Sequence, residues 1–179
     1  MIVCRPARSD DAAGIARVYV EGWRDAYPGV LPDPVLAGLS MERQERTWQA
    51  AILNETRPRL VQVAVMDGRV VGFGSAGRTR FGTLPFAGEV FTLYVDADAR
   101  GRGTGLALLF RLFAALEGAG HGSALVWALA ANPFRHFYGA AGGREVARWT
   151  ERQWGVMLPQ VAYGWPNLAQ LRALRAGGA

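Results

Sequence analysis

The 179-residue chain has no lysine, a single cysteine (Cys4) and only two histidines, His121 and His136. Each shortage closes off a class of chemistry. One cysteine makes neither an internal disulfide nor a cysteine metal cluster, and two isolated histidines do not assemble a metal site, so no metal is expected. No apolar run is long enough to span a membrane. The opening Met1-Ile2-Val3-Cys4-Arg5-Pro6 also lacks the charged-then-apolar layout of a signal peptide, so a cytoplasmic location without a membrane partner is expected. A basic tract is missing too. All 20 basic residues are arginine, giving a formal charge of +5, but they are scattered. The short pairs Arg78 and Arg80, Arg100 and Arg102, and Arg172 and Arg175 suit a solvated surface or the phosphates of one cofactor as well as a polyanion. Nucleic acid is therefore not the expected partner.

What is present is a globular composition. Half of the residues are hydrophobic, enough for one domain spanning residues 1–179, with no repeat and no internal boundary. Ile2 to Arg5 reads as a short strand. Ser9, Asp10 and Asp11 then supply an N-cap and an acidic first turn for a helix carrying Ile15, Val18, Gly22 and Trp23, which stops near Tyr27-Pro28-Gly29. Pro32 and Pro34 punctuate a connector, followed by a short helix over Val35 to Leu39 and a longer one over Met41 to Leu53 with Trp48 on its apolar side. Strands over Leu60 to Met66 and Arg69 to Arg78 flank Asp67-Gly68, a hairpin signal, and Glu89 to Val95 forms the next strand. Ala124 to Ala130 reads as a buried strand and Pro133 to Ala141 as a short helix begun by its proline. Arg144 to Glu151 and Trp154 to Tyr163 close the fold as strands, and the tail is helical from Leu168 before fraying at Gly177-Gly178.

The most informative stretch lies between a strand and a helix. Val95 leads into Asp96-Ala97-Asp98-Ala99-Arg100-Gly101-Arg102-Gly103-Thr104-Gly105, after which Leu106, Leu109, Leu112, Phe113 and Leu116 recur at helical spacing. Three alternate glycines let the backbone approach a ligand, and the unpaired N–H groups of a first helical turn suit a pyrophosphate. The spacing excludes two familiar phosphate loops. Counting from Gly101, a dinucleotide fingerprint would need glycine where Leu106 stands, and a Walker loop needs the lysine this chain lacks. The pattern present is Arg-x-x-Gly-x-Gly at Arg100, Gly103 and Gly105, behind Leu93-Tyr94-Val95.

This pattern resembles the acetyl-coenzyme A loop of the GNAT family of N-acetyltransferases. A second block strengthens the resemblance: Asn132-Pro133-Phe134-Arg135-His136-Phe137-Tyr138, running on to Gly142-Gly143, is similar to the family's Asn-x-x-Ala-x-x-Phe-Tyr-x-x-x-Gly-Gly segment, with Arg135 where the family often has alanine and one residue fewer before Phe137. Trp23 to Pro32 and Glu145 to Trp165 look alike as well. The resemblance implies an α/β (α+β) fold with a mixed, mostly antiparallel sheet of about seven strands flanked by helices, in which a splayed strand pair holds acetyl-CoA. It implies an enzyme that moves an acetyl group to a primary amine. With no lysine, such an enzyme exposes only its own amino terminus to modification.

Roles follow by the same resemblance. Leu93, Tyr94 and Val95 would carry the pantetheine arm, the amides from Arg100 through Gly101, Arg102, Gly103, Thr104 and Gly105 would hold the pyrophosphate with charge from Arg100 and Arg102, and Asn132 would bond the arm. An amine attacks only when neutral, so a base is needed. Glu89, opening its strand, is the candidate base, directly or through water. Strict alternation puts it on the face of Phe91, Leu93 and Val95, where desolvation would raise its pKa. Tyr138 is the candidate acid for the departing thiolate, and His136 reads as a structural or surface residue. Trp23, Tyr27, Tyr163 and Trp165 are candidate aromatic walls of the acceptor pocket, with core packing as their alternative use, and Asp25 could attract an ammonium. The sequence does not choose among a polyamine, an amino acid, an aminoglycoside-like compound and a protein amino terminus. Two other readings stand beside this one: a non-catalytic module sensing acyl-CoA, and a nucleic-acid binder using the arginine excess. The apolar final strands would also suit pairing between two chains as a homodimer.

Overall fold

Asp67 and Gly68 adopt φ values of 52° and 78°, the left-handed pair that a two-residue hairpin turn requires, and around them β2 (Leu60–Met66) folds back on β3 (Arg69–Arg78). The computed structural model describes residues 1–54, 59–80 and 82–171. On either side of the hairpin stand β1 (Ile2–Pro6) and β4 (Gly88–Val95), both antiparallel to their neighbours. After β4 the chain crosses over through α4 (Thr104–Gly118) to β5 (Ala124–Leu129), and β4 with β5 is the parallel pair, as a helical crossover dictates. β6 (Arg144–Gln153) and β7 (Val156–Trp165) complete a seven-stranded sheet in the order β1-β2-β3-β4-β5-β7-β6.

Helices cover both faces. α1 (Ala12–Ala26) and α3 (Met41–Leu53) bury Ile15, Val18 and Trp48 against Val61, Val63 and Phe73. α4 lies on the opposite face, with Leu108 against Ala64 and Val71, and Leu109, Leu112 and Leu116 among Ala76, Val90 and Val126. Ser40 caps α3 by accepting from the Arg43 amide at 3.2 Å. The entry to α1 differs from expectation. Ser9 lies inside a short 3-10 turn, and Asp11 organises this end by accepting from the Arg8 amide at 2.7 Å and from both terminal nitrogens of Arg5 at 2.6 and 2.9 Å.

Two prolines act differently from their expected roles. Pro34 lies within the first turn of α2 (Asp33–Ala37), starting that helix rather than delaying it to Val35, because a missing N–H costs nothing where no carbonyl awaits it. Pro133 belongs to a turn ahead of α5 (His136–Ala140), which is correspondingly shorter than expected. Beyond β7, Leu168 to Leu171 is helical, and the remainder of the expected tail helix, with Arg172, Arg175 and Gly177-Gly178, lies outside the described residues.

One irregularity shapes the site. In the β3–β4 ladder Ser75 faces Thr92 and Ala76 faces Val90, so Phe91 is an extra residue, a bulge. The bulge breaks strict alternation. Val90 and Leu93 therefore both pack on the α4 side, and Val95 joins Leu108 there, whereas Glu89 stands on the other side of the strand. The expectation that Glu89 shares a face with Leu93 and Val95 is corrected by that one residue.

Candidate active site

β4 and β5 pair only over Gly88 to Val90 against Ala124 to Val126, while β4 stays paired with β3 as far as Val95. Thr92 to Val95 thus have a strand neighbour on one side and a gap on the other. Hydrogen-bonding groups along an unpaired strand edge can receive an extended chain. Into this gap opens a cleft of about 460 Å³ lined by Leu93, Tyr94, Val95, Gly101, Gly103, Thr104 and Gly105, with Asn132, Phe134, Phe137 and Tyr138 on its far wall.

The glycine loop has the expected form. Gly101 and Gly103 have φ of 70° and 78°, and a Cβ on either would meet nothing within 4 Å, so backbone conformation rather than crowding requires glycine. Gly103 is the residue from which α4 begins, leaving the first-turn amides of a 15-residue helix at the cleft. The Thr104 hydroxyl is buried and donates to the Ala99 carbonyl at 2.8 Å, locking the loop from behind. Arg102 is exposed and lies outside the cleft lining. Arg100 is committed to protein partners: its Nε donates to the Val95 carbonyl at 2.9 Å, its Nη1 pairs with Asp25 at 2.6 Å, and its guanidinium sits 4.5 Å from the Phe134 ring. Arg100 itself lines the larger cleft, where it shares its charge with Asp25, and the Asp25 carboxylate expected to be open to an ammonium is paired with it.

A second cleft of about 140 Å³ lies on the α1 side of the same gap, walled by Trp23, Tyr27, Phe91, Tyr94, Trp127, Tyr138 and Trp154, with the amides Asn132, Gln153 and Gln160. Leu93, Tyr94, Asn132 and Tyr138 line both clefts. Around this junction the polar groups are ordered. The Tyr27 hydroxyl accepts from Asn132 Nδ2 at 3.3 Å and shares a second hydrogen bond with the Tyr94 hydroxyl, in which either oxygen can donate. Asn132 Oδ1 in turn accepts from the Phe134 amide at 2.8 Å. Burial pushes the phenol pKa values of Tyr27, Tyr94 and Tyr138 upward, so all three hold their protons at neutral pH. Nearby Tyr19 is pushed up to about 12 by the same cause.

Other expected site residues lie elsewhere. Glu89 is wholly buried and lines neither cleft; its Oε2 accepts from the Arg80 amide at 2.9 Å and its Oε1 from Arg80 Nε and Nη2 at 3.0 and 2.5 Å. Tyr163 and Trp165 are core residues rather than walls, because β7 alternation sends them, with Val161, into the cluster under α4. Trp165 Nε1 donates to the Ala141 carbonyl at 3.1 Å, and the Tyr163 hydroxyl accepts from Arg135 Nη1 at 3.0 Å. Arg135, where the motif often has alanine, also donates from Nε to the Ala130 carbonyl, tying the turn before α5 to β7. Sequence reasoning missed Phe91, Trp127, Gln153, Trp154 and Gln160 as lining residues. The bulge at Phe91 and the true hairpin at Trp154-Gly155 hide them from a period-two reading.

A model of the Acetyltransferase (GNAT) family matches residues 13–142 of the chain. Over 175 residues the chain is 33% identical to a Bacillus subtilis (strain 168) protein named Uncharacterized N-acetyltransferase YuaI, covering 97% of this chain and 98% of that one. Among solved structures it is similar to yncA of Salmonella typhimurium, determined with its cofactor acetyl-CoA, at a TM-score of 0.69 and 19% identity over 94% of each chain. It is likewise similar to the paia N-acetyltransferase of Thermoplasma acidophilum in complex with coenzyme A, at a TM-score of 0.69 and 15% identity, over 92% of this chain and 99% of that one. These two show a shared fold.

Proposed function

The chain belongs to the acetyltransferase (GNAT) family, and on that premise we propose that it transfers the acetyl group of acetyl-CoA to the primary amine of a small molecule, by direct attack while both are bound. The observation that carries this reading is the meeting of the two clefts at Leu93, Tyr94, Asn132 and Tyr138. The residues of the larger cleft fit the cofactor: left-handed glycines with open space at Gly101 and Gly103, free first-turn amides on α4, and an unpaired edge on β4. Bound there, acetyl-CoA would supply an acetyl group activated as a thioester; starting from the acceptor's ammonium form, transfer forms one N–C bond and breaks the C–S bond, and of the two protons that leave nitrogen one goes to water and one is balanced by the proton gained by the thiol.

The protein's part is binding, orientation and proton placement. The amides from Gly101 to Gly105 hold the pyrophosphate, and Leu93 to Val95 pair with the pantetheine arm as an added strand. Arg100 positions this site by bridging Val95, Asp25 and Phe134. Tyr138, kept protonated by burial, is the donor to the departing sulfur, and the Tyr27 hydroxyl, hydrogen-bonded to Asn132 and Tyr94, orders the junction. Cys4 takes no part. It lies on β1, with β2 and β3 between it and β4, and burial pushes its thiol pKa up, so attack is direct rather than through an acyl-enzyme. The homodimer reading finds its support in β6, the outer strand of the sheet, where Val146 and Trp149 are exposed.

Among the described residues, no carboxylate and no histidine lines either cleft, so the acceptor's proton leaves to water. A pH dependence follows. The reactive neutral fraction of an alkylamine with pKa of about 10.4 grows tenfold per pH unit, so kcat/KM at saturating acetyl-CoA should rise by about tenfold per unit between roughly pH 6 and 9. A pH–rate profile checks this; a plateau near neutrality would reveal an enzymic base.

Glu89→Gln separates the two uses of that carboxylate. Removing one charge of a buried pair with Arg80 should cost about 2 kcal/mol, discounted because Arg80 is half exposed, and lower Tm by roughly 4–8 °C. The folded variant should keep kcat within about threefold, measured well below both midpoints. A hundredfold loss of kcat at unchanged Tm would return Glu89 to the role of base. The whole proposal is tested by thiol release from acetyl-CoA across amines, amino acids, polyamines and aminoglycosides. Transfer to one class supports it, whereas cofactor binding without transfer to any amine would favour a sensing module.

A further inference from the structure

Trp154 stands at an unusual place for its size. It is the first central residue of the β6–β7 hairpin, with φ of 48° followed by Gly155 at 80°, a turn that ordinarily takes asparagine or glycine. A bulky side chain in the left-handed region is a genuine outlier and marks a position that something other than folding requires. Nor does burial explain it, since Trp154 is 49% exposed. Its indole instead stands edge-on to Trp23 of α1 at 6.2 Å between ring centres, across the mouth of the smaller cleft, and Trp23 in turn packs edge-on to Tyr27 at 5.4 Å.

Among the described residues, none that lines the cleft behind these rings is charged. A polycationic acceptor brings several ammonium groups, more than a few aromatic faces can serve in place of water, and among the described residues no carboxylate lines the cleft. The polar groups present are amides. Gln160 donates from Nε2 to Glu151 at 3.2 Å, an orientation that leaves its Oε1 to accept from an N–H of a bound molecule. We infer that Trp154 is a specificity-determining residue and that the acceptor is a monoamine carried on a flat, apolar or aromatic body, which packs against the touching pair of Trp23 and Trp154 at the mouth of the cleft. Polyamines and aminoglycosides are poor acceptors. This rests on the acetyl-transfer reading given above.

The test compares initial rates for 2-phenylethylamine, tryptamine, spermidine and kanamycin at saturating acetyl-CoA, with the wild type, Trp154→Asn and Trp154→Phe. For the wild type, kcat/KM for the two arylalkylamines should exceed that for the two polycations by at least about tenfold. Trp154→Asn should raise KM for the arylalkylamines by about tenfold or more, with a much smaller change in kcat and no change in acetyl-CoA Kd. Asparagine is at home in the left-handed turn, so this variant should melt at the same temperature as the wild type or higher, an outcome that a structural tryptophan would reverse. Trp154→Phe should recover most of the lost KM. Preference for spermidine or kanamycin, an unchanged KM in Trp154→Asn, or a lowered Tm in that variant would each overturn the inference while acetyl transfer stands. Cofactor binding without transfer to any of the four amines or to the wider panel would overturn both.

Discussion

Tyr138→Phe should lower kcat by about a hundredfold while leaving the acetyl-CoA Kd and the thermal midpoint nearly unchanged. The substitution removes only a hydroxyl. The ring that it keeps stands 5.3 Å from Phe137, 5.8 Å from Tyr163 and 6.4 Å from Trp165, and those contacts hold α5 against the sheet. What is lost is a proton that burial keeps on the phenol at neutral pH, at the junction of the two clefts. A thiolate leaving with a pKa near roughly 8.5 gains from a donor as the C–S bond breaks, and general-acid assistance of this kind contributes about 10² or more. Single-turnover rates measured by quenched flow separate the chemical step from product release. A rate unchanged in Tyr138→Phe would pass the donor's role to the hydrogen-bonded hydroxyls of Tyr27 and Tyr94 at the same junction.

Gly103→Val should raise the acetyl-CoA Kd by about thirtyfold, equivalent to about 2 kcal/mol. Gly103 has φ of 78°, a conformation that a β-branched residue adopts only under strain. The space beside it is open, so the penalty is purely one of backbone, and the chain relieves it by rotating the peptide from which α4 starts. That rotation withdraws the first-turn amides from the ligand. Gly118→Ala, at the other end of the same helix where space is also open and φ is not left-handed, should leave Kd unchanged. Equal weakening by both substitutions would mean that the loop amides do not hold the cofactor.

Local chemistry was legible where the residue types agreed with it. Asp67-Gly68 announced its hairpin because both residues tolerate the left-handed region better than most, and the stripe from Leu106 to Leu116 announced α4 because one apolar face meets the sheet. The glycine loop was readable as an anion cradle because its glycines serve the backbone, and the family resemblance implied which anion. The adjacent hairpin was hidden by its own chemistry. Tryptophan is a poor residue for the first position of such a turn, so the break was expected at residues 152–153 and Trp154 was assigned to a strand; in fact β6 runs to Gln153 and β7 starts at Val156.

The site was only half legible for a related reason. A bulge leaves no mark in a strand whose residues are all compatible with either face, so the extra residue at Phe91 reversed the side assigned to Glu89 relative to Leu93. Tyr163 and Trp165 carry the aromatic character of a binding wall, yet they share a face of β7 with Val161 and fill the space beneath α4. Only the packing of that helix decides between wall and core. Arg100 was recognised by the motif, but its partners, Asp25 on α1 and the Phe134 ring, are distant in sequence and no spacing announces them.

The central claim is that the gap between β4 and β5, closed by the loop from Arg100 to Gly105, is a seat for acetyl-CoA. Calorimetric titration of acetyl-CoA into the full chain tests it most directly, with Gly103→Val as the paired variant. The account predicts saturable binding at one site per chain, weakened by about thirtyfold in the variant. Absence of binding by the wild type at millimolar acetyl-CoA, or equal affinity in both proteins, would contradict it.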